Sequence, residues 1–291
     1  MTSALPYELV RLRNGVASVR SLAHNETFHP VIGPVAEAEA LYVKQLKLRE
    51  RVAAHDGEFV IWDVGLGAAA NVLTVLQAVR GIPGRVRVLS FDHTLEPLRF
   101  ALTHAEALGY VVGWEPFIEP LLQQGRVELA FGEQRIHWTL HTGDFPAFLE
   151  QLPAQCREAF PAPHAVLYDA YSPGKNPAMW TAPQFYNLFR AMDAARPCSL
   201  ATFSRSTMLR VSLLLAGFFV GVGHATGEKE ETTIAANTPA LIEEPLGKAW
   251  LQRARQSTSA EPLWEPVYRQ ARLSEASWNK LQAHPQFSGP I

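Results

Sequence analysis

The residues of this sequence that could do chemistry are carboxylates that follow short apolar runs. Asp169 ends the apolar run 164–168 and opens a turn rich in proline, glycine and asparagine that carries Lys175. Open α/β sheets bind their ligands at the carboxyl ends of the strands, and a carboxylate placed there can accept a proton or a hydrogen bond from a substrate. Asp169 is therefore the first candidate for a catalytic residue.

A glycine turn follows another apolar run. Residues 59–64 predict a buried parallel strand, and Gly65-Leu66-Gly67 stands between that strand and a helix predicted over 71–80. In this context a Gly-x-Gly turn lets the backbone approach a ligand at the N-terminus of the helix. Ala69 stands where many nucleotide-binding loops have a third glycine. The same glycines could also serve only a tight turn.

Two more carboxylates end predicted strands. Asp92 follows the strand 85–91, roughly 20 to 25 residues after the glycine turn, a position from which an acidic side chain accepts hydrogen bonds from ribose hydroxyls. Asp144 follows the strand 134–142 and could bind an adenine amino group. Because aspartate is also a preferred N-cap, Asp144 could instead cap the helix predicted over 145–151.

The elements that must position these residues alternate along the chain. An N-terminal hairpin is predicted around Arg13-Asn14-Gly15, and one long helix over 35–54. Further elements are predicted as helices over 95–108, 115–124, 181–194 and 206–216, and as strands over 126–132, 198–203, 218–223 and 231–236. The alternation predicts an α/β fold with a mostly parallel, doubly wound sheet. The closing antiparallel hairpin indicates a Rossmann-like class I methyltransferase sheet rather than a dehydrogenase.

The sequence predicts three regions. Residues 1–55 form an N-terminal hairpin and helix extension packed on the core, residues 56–238 the sheet domain, and residues 239–291 a helical C-terminal tail. The tail contains Trp250, Trp264 and Trp278. Because large aromatic groups gain most when they are buried, we expect the tail to pack back on the sheet domain.

Composition limits the partners. The chain is 47% apolar with a formal net charge of -2, so it predicts one sizeable core and no global electrostatic attraction to nucleic acid. A local basic patch could still bind RNA, or the same side chains could form a solvated face: Arg205, Arg210, Arg253, Arg255, Arg269 and Arg272.

The remaining sequence features favour a cytoplasmic protein. Cys156 and Cys198 lie far apart, and the N-terminus shows no leader, which predicts buried thiols in a reducing compartment. We expect no membrane span. His137 and His141 have helical metal-ligand spacing but fall in a predicted strand, so we expect no metal site.

Residues 169–180, which read D-A-Y-S-P-G-K-N-P-A-M-W, resemble a pattern of the MnmC-type proteins, which modify the wobble uridine of certain transfer RNAs. The family pattern there is close to D-G-F-x-P-x-K-N-P-x-M-W. Further matching pieces are Gly65-Leu66-Gly67 with Asn71, Ser90-Phe91-Asp92, Gly143-Asp144, 201–204, and Glu39 with Tyr42-Val43. The resemblance covers roughly residues 28–237 and implies the methyltransferase half, in a stand-alone form without the flavin oxidase half.

The resemblance implies a cofactor, a reaction and the residues that carry them. The cofactor is S-adenosylmethionine, and the reaction is N-methylation of an aminomethyl group on the wobble uridine of tRNA. Asp169 is the catalytic residue, as a base or as a group that only orients the amine, and Tyr171 and Lys175 contact the substrate. The cofactor would be bound by Asp63, Gly65, Gly67, Asn71, Asp92 and Asp144. Two alternatives stay open: a methyltransferase of the same fold that acts on a small amine, and a non-catalytic S-adenosylmethionine-binding protein that interacts through its tail.

Overall fold

The computed structural model describes residues 6–152, 158–227 and 230–288. The chain divides into two compact units. The first consists of Met1–Asp144, Leu167–Asp169 and Ala225–Glu230, and the second of Phe145–Val166, Ala170–His224 and Glu231–Ile291. The prediction for Cys156 lies outside the described residues, whereas Cys198 is a buried thiol that forms no disulfide among the described residues, as predicted.

The first unit begins with the predicted hairpin. Strands β1 (Tyr7–Arg11) and β2 (Ala17–Ser21) pair in antiparallel register, and β3 (Glu26–Thr27) pairs with β2. Gly15 has a φ of 83° in the connecting turn, a conformation that glycine adopts without steric cost. The Asn-Gly signal therefore predicted this turn correctly.

The prediction of a single helix over 35–54 is wrong, because the structure divides this segment into three pieces. Helix α1 (Pro34–Ala38) runs into a wider π-helical turn, Glu39–Lys44, and helix α2 (Leu48–Ala53) begins only after a break. Lys47 has a φ of 49° at that break, and a residue in the left-handed region cannot continue a right-handed helix. The π-helical turn buries Tyr42.

The sheet of the first unit contains the predicted parallel strands. Strands β4 (Glu58–Val64) and β5 (Gly84–Asp92) are parallel, with helix α3 (Ala70–Val79) between them in sequence. Beyond β5 lie β7 (Gln134–Thr142), parallel to β5, and β6 (Arg126–Phe131), antiparallel to β7. The helix predicted over 95–108 is interrupted at His104, so the connecting helices are α4 (Glu96–Thr103), α5 (Ala105–Leu108) and α6 (Glu115–Gln124).

The carboxyl ends of these strands lie side by side. Val64 pairs with Phe91, and Asp92 pairs with Thr142. Strand β8 (Ala165–Tyr168) contributes its last two residues to this unit, and the amide of Asp169 donates to the carbonyl of Val64 at 2.9 Å. The strand ends therefore present their following residues along one edge of the sheet, as the sequence predicted.

The second unit contains the start of β8 and the closing antiparallel strands. Its elements are α7 (Phe145–Gln151), a 3₁₀ turn (Pro177–Trp180), α8 (Ala182–Ala191), β9 (Ser199–Thr202), α9 (Thr207–Ala216), β10 (Phe219–Gly223) and β11 (Thr232–Ala236). Strand β11 lies between β9 and β10 and is antiparallel to both. The predicted fold class, a mostly parallel sheet with a terminal antiparallel hairpin, is confirmed.

The tail packs on the sheet of the second unit. Helices α10 (Lys248–Gln256), α11 (Glu275–Gln282) and α12 (Pro285–Ser288) follow β11, and the amide of Val222 donates to the carbonyl of Glu244 at 2.9 Å. Trp250 is buried, whereas Trp264 is 48% exposed. In the described parts of the chain, no helix has the length and apolar character that a bilayer crossing demands.

Candidate active site

The turn between β4 and α3 is built from left-handed backbone. Gly65, Gly67 and Ala69 have φ values of 87°, 51° and 62°. An L-residue pays roughly 1–2 kcal/mol for this conformation, whereas glycine does not. The alanine at the third position therefore keeps the backbone that glycine would favour, and α3 begins directly after it. The departure from the three-glycine pattern leaves the turn intact.

Asp92 is fixed beside this turn. Its Oδ2 accepts a hydrogen bond from the amide of Gly67 at 2.8 Å, its Oδ1 accepts one from the amide of Thr94 at 3.3 Å, and Nδ1 of His93 lies 2.9 Å from the same Oδ1. The hydrogen bond to Asp92 raises the pKa of His93, and partial burial opposes that shift. A carboxylate offers about four acceptor positions, so Asp92 keeps capacity for a further donor such as a ribose hydroxyl.

Asp63, the penultimate residue of β4, carries a buried carboxyl group. Its Oδ2 accepts a hydrogen bond from Oγ of Ser90 at 2.7 Å, and that Oγ accepts one from Nε1 of Trp138 at 2.9 Å. Burial raises the pKa of Asp63 to about 7, and the charges of Asp169 and Asp92 add to the shift, whereas the Ser90 bond opposes it. Oδ1 of Asp63 is buried with no hydrogen-bond partner among the described residues.

Asp169 is joined to the glycine turn through Asn71, in the first turn of α3. Nδ2 of Asn71 donates to Oδ2 of Asp169 at 2.6 Å. Asn71 is buried, and its Oδ1 has no hydrogen-bond partner within the described residues. The Asp169 side chain is 19% exposed, so it stays accessible while Asn71 fixes its orientation. Two residues that the sequence singled out separately are thus in direct contact.

The N-terminal segment supplies site residues that sequence reasoning missed. Nε2 of His29 lies 3.7 Å from Oδ2 of Asp169, and Nδ1 lies 3.9 Å from Oε2 of Glu37 on α1. Burial raises the pKa of Tyr42, and the charges of Asp169, Glu37 and Asp63 add to the shift. Tyr42 belonged to a motif of the resemblance, but no pattern in the sequence pointed to His29 or Glu37.

Phe28 brings the same segment against the glycine turn. A Cβ atom added to Gly67 would lie 3.3 Å from Cε2 of Phe28. The region predicted as an extension therefore contacts the candidate site in two places, at the turn through Phe28 and at the carboxylate through His29.

The other predicted site residues lie in two different surroundings. Asp144 is exposed two residues beyond the end of β7, and the amide of Gly143 donates to the carbonyl of Asp92 at 2.8 Å. Tyr171 and Lys175 belong to the second unit. There the carbonyl of Tyr171 accepts a hydrogen bond from Nε1 of buried Trp180 at 2.7 Å, and Lys175 is exposed.

The arginines proposed as a basic patch are not all available to a ligand. Arg210 is 3% exposed, donates to the carbonyl of Thr232 at 2.7 Å and pairs with Glu231 at 3.1 Å. Its inclusion in the patch is therefore wrong. Arg255 pairs with Glu275, and Arg269 lies 3.6 Å from Glu265. Within the described ranges no three His, Cys, Asp or Glu side chains are grouped to hold a metal ion.

The residues present fit a nucleoside cofactor. The glycine turn leaves its backbone uncovered by side chains of its own, Asp92 stands at the end of the neighbouring strand, and buried oxygens of Asp63 and Asn71 lack protein partners in the described structure. Buried polar atoms without partners are rare in folded proteins, and a bound ligand is one common explanation.

Comparison with known proteins agrees with this class of site. Residues 114–238 match the model of a protein family described as S-adenosyl-L-methionine-dependent methyltransferase. The match covers 125 of the 291 residues and confirms the predicted class of enzyme, an S-adenosylmethionine-dependent methyltransferase. The cofactor predicted from the sequence is thereby confirmed, whereas the residues that bind it stay predictions.

The particular relatives are MnmC proteins, so the resemblance found in the sequence is confirmed. The chain is 29% identical over 248 residues to the "tRNA 5-methylaminomethyl-2-thiouridine biosynthesis bifunctional protein MnmC" of Methylibium petroleiphilum, covering 82% of this chain and 35% of that protein. It is 33% identical over 225 residues to the protein of the same name from an Azoarcus species, covering 72% and 33%. The chain thus spans about a third of the length of these relatives.

A solved structure shows the same fold. The crystal structure of MnmC2 from Aquifex aeolicus superposes with a TM-score of 0.69 at 21% sequence identity, covering 97% of this chain and 86% of the other. At this identity the likeness establishes the fold, which agrees with the fold class predicted above.

Proposed function

We propose that this methyltransferase transfers a methyl group to the aminomethyl nitrogen on the wobble uridine of tRNA. The observation that carries the proposal is the Asp169 carboxylate, which Asn71 holds at 2.6 Å beside the glycine turn. The names of the MnmC relatives, which cite tRNA 5-methylaminomethyl-2-thiouridine biosynthesis, support tRNA as the acceptor.

The chemistry asks little of the protein beyond position and protonation state. S-adenosylmethionine supplies an electrophilic methyl group on a sulfonium sulfur. Holding an amine in line with that methyl group turns a bimolecular reaction into an effectively unimolecular one, which can lower the barrier by roughly 7–11 kcal/mol. The amine attacks only as the neutral form, so a group that accepts its hydrogen bond or its proton is needed beside it.

Asp169 has the geometry for that role. Its Oδ2 is fixed by Asn71, its backbone amide is fixed on Val64, and its side chain is 19% exposed. A carboxylate accepts more than one hydrogen bond, so the acceptor amine can bind while Asn71 stays in place. We assign Asp169 to orienting the amine and to accepting its proton.

The remaining assignments follow from position along the strand ends. Gly65 and Gly67 let the backbone approach the cofactor, Asp92 accepts from its ribose and Asp144 binds its adenine, while Asp63 and Asn71 complete the polar surroundings. Tyr171 and Lys175 are assigned to the substrate. Lys175 is exposed and follows Asp169 by six residues in the sequence, and its positive charge suits a polyanionic acceptor.

The test is transfer of a radiolabelled methyl group from S-adenosylmethionine to tRNA that carries an aminomethyl wobble uridine. The wild-type chain is expected to label this tRNA and not the unmodified tRNA. Mass spectrometry of tRNA nucleosides from a strain that lacks the protein should show loss of the methylated nucleoside. Absence of labelling together with an unchanged nucleoside profile would reject tRNA as the substrate.

Asp169→Asn tests the assigned residue. The amide oxygen can still accept from Asn71, but the side chain cannot take a proton, so we expect the rate of transfer to fall roughly 10²–10⁴-fold. Affinity for S-adenosylmethionine, measured by calorimetry, should stay within about threefold of wild type. The control is Asp56→Asn, because Asp56 is exposed at the end of the helical segment before β4. Equal rates for the two variants would contradict the assignment.

A small amine is the second candidate acceptor, favoured by the net charge of -2 and by the pairing of Arg210, Arg255 and Arg269 with glutamates. Affinity for tRNA normally draws on cations that neutralise phosphates. Methylation of small primary amines with no labelling of tRNA would select this alternative.

A further inference from the structure

His29 stands between two carboxylates, and only one of them has a role so far. Its ring nitrogens lie 3.7 Å from Oδ2 of Asp169 and 3.9 Å from Oε2 of Glu37. The side chains of His29 and Glu37 are 9% and 7% exposed. Catalytic hydrogen bonds are often long in structures without a substrate and shorten in the complex. The imidazole of His29 therefore lies within 4 Å of both the Asp169 carboxylate and the buried Glu37 carboxylate.

The two ring nitrogens are suited to different tasks. A neutral imidazole carries one N–H donor and one acceptor nitrogen, and the partner of one nitrogen fixes the state of the other. The buried carboxylate of Glu37 favours a proton on Nδ1. Nε2 is then the acceptor, and it faces Asp169.

The backbone at His29 is held in an uncommon conformation. Its φ is 49°, a region that few non-glycine residues occupy, although histidine is among those that tolerate it. Residues held in such conformations concentrate at functional sites. Here the left-handed backbone places the imidazole between Glu37 and Asp169.

The proton released by methyl transfer needs a destination. The amine nitrogen forms a bond to the methyl carbon, the carbon–sulfur bond breaks with its electron pair left on sulfur, and the positively charged nitrogen then loses a proton. Asp169 receives that proton. The other titratable groups around it include Asp63, Glu37 and Tyr42. Burial and the charge of Asp169 raise the pKa of both Asp63 and Tyr42. Unlike these acidic groups, the neutral imidazole of His29 becomes a cation when it accepts a proton, and the two flanking carboxylates stabilise that cation.

We propose that His29, oriented by Glu37, is a positioning residue that takes the proton from Asp169 after methyl transfer and so returns Asp169 to its carboxylate form. The proposal rests on the function proposed above, because it assumes an amine acceptor at Asp169. It assigns roles to His29 and Glu37, which lie in the region that the sequence predicted as an extension.

The test compares His29→Gln, His29→Asn, Glu37→Gln and the double variant His29→Gln/Glu37→Gln. Glutamine keeps the reach of Nε2, and asparagine tolerates the left-handed backbone, but neither can carry the proton. We expect kcat for methyl transfer to fall about 10–100-fold in both His29 variants, the range found when partners that orient a catalytic or ligating group are lost. The dissociation constant for S-adenosylmethionine and KM for the acceptor should change less than about threefold.

Glu37 is expected to act only through His29. Glu37→Gln should therefore lower kcat several-fold in the wild-type chain and leave kcat unchanged in the His29→Gln background. The matched control is His137→Gln/Glu128→Gln, because His137 and Glu128 form an exposed pair at 3.4 Å on the antiparallel strands of the same unit. Its kcat should equal that of wild type.

Three outcomes would overturn the proposal. They are a kcat within twofold of wild type in both His29 variants, an effect of Glu37→Gln that multiplies with that of His29→Gln, and a loss of kcat that only follows loss of thermal stability and cofactor affinity. If the wild-type chain methylates a small amine and not tRNA, the proposed substrate is wrong, and the same variants measured on that amine decide the role of His29. If it methylates no amine at all, both proposals fall.

Discussion

Asp63 is a buried side chain whose protonation is expected to affect stability. Its folded-state pKa is about 7, against 3.8 for an unperturbed group, because it is buried and faces the charges of Asp169 and Asp92. The folded state therefore binds this proton more tightly than the unfolded state. The stabilisation is complete below the unfolded pKa and is lost as the pH rises through 7.

Asp63→Asn should remove this pH dependence, since asparagine resembles the protonated carboxyl group and cannot ionise. Relative to wild type, the variant should be more stable at pH 8 than at pH 5, by on the order of 2 kcal/mol. Thermal unfolding of both proteins without cofactor at the two pH values measures the difference. Asp56→Asn provides the surface comparison, and a difference in Tm between Asp63→Asn and wild type that is the same at both pH values would contradict the prediction.

Part of the site was predictable from single residues. Gly67, Asp92 and Asp169 follow apolar runs directly, so their place at the strand ends follows from strand direction alone. His29 and Glu37 were not predictable, because His29 reaches Asp169 through a turn with positive φ, and Glu37 reaches His29 through tertiary packing of α1. No periodic pattern encodes a contact of that kind.

Among the elements, the turn between β4 and α3 tolerates little change. Gly67 has a φ of 51°, and a Cβ there would lie 3.3 Å from Cε2 of Phe28. The position thus combines a backbone cost with a steric one.

Gly67→Ala is expected to lower the free energy of unfolding by about 1–3 kcal/mol and to weaken S-adenosylmethionine binding. Chemical denaturation and calorimetry measure the two effects. Gly81→Ala is the matched control, since Gly81 has a φ of 79° but nothing within 4 Å of an added Cβ. The control should lose stability from backbone strain alone and keep its cofactor affinity. Equal cofactor affinity in both variants would rule out a role of Gly67 in binding.

Strands were more predictable than helices in this chain. The ends of β4, β5 and β7 lie within one residue of the predicted runs. The continuous apolar run of β4 is typical of a buried parallel strand, whereas β7 was predicted from its strand-like alternation of residues. The helix predicted over 35–54 failed because favourable helix propensity does not register a π-helical turn or the left-handed residue Lys47. Those features depend on what the segment packs against.

Across the whole molecule, the tail completes the sheet of the second unit rather than forming a domain. The carbonyl of Val220 accepts from Nε2 of Gln286 at 2.8 Å, and the amide of Val220 donates to Oε1 of the same side chain at 2.8 Å. The amide of Leu246 also donates to the carbonyl of Val220 at 3.0 Å. The division predicted at residues 55 and 238 stays a prediction.

Gln286→Ala should detach this end of the tail. It removes hydrogen bonds to both backbone groups of Val220 and one to the carbonyl of Leu246, so we expect a loss of about 1–3 kcal/mol in the free energy of unfolding. Hydrogen exchange should show faster exchange at the amide of Val220. Gln282→Ala is the control, because Gln282 is exposed on α11, and similar stability losses in the two variants would contradict the role of Gln286.

The bond between Asn71 and Asp169 has a consequence for how the enzyme folds. It joins residues 98 positions apart, whereas the bond between Gly67 and Asp92 spans 25. Closing the longer loop costs about 1.2 kcal/mol more entropy, because each doubling of loop length adds about 0.6 kcal/mol. The contact between Gly67 and Asp92 is therefore expected to form first, and a nascent chain emerging from the ribosome brings Asp169 to this turn only after β8 has been synthesised and paired.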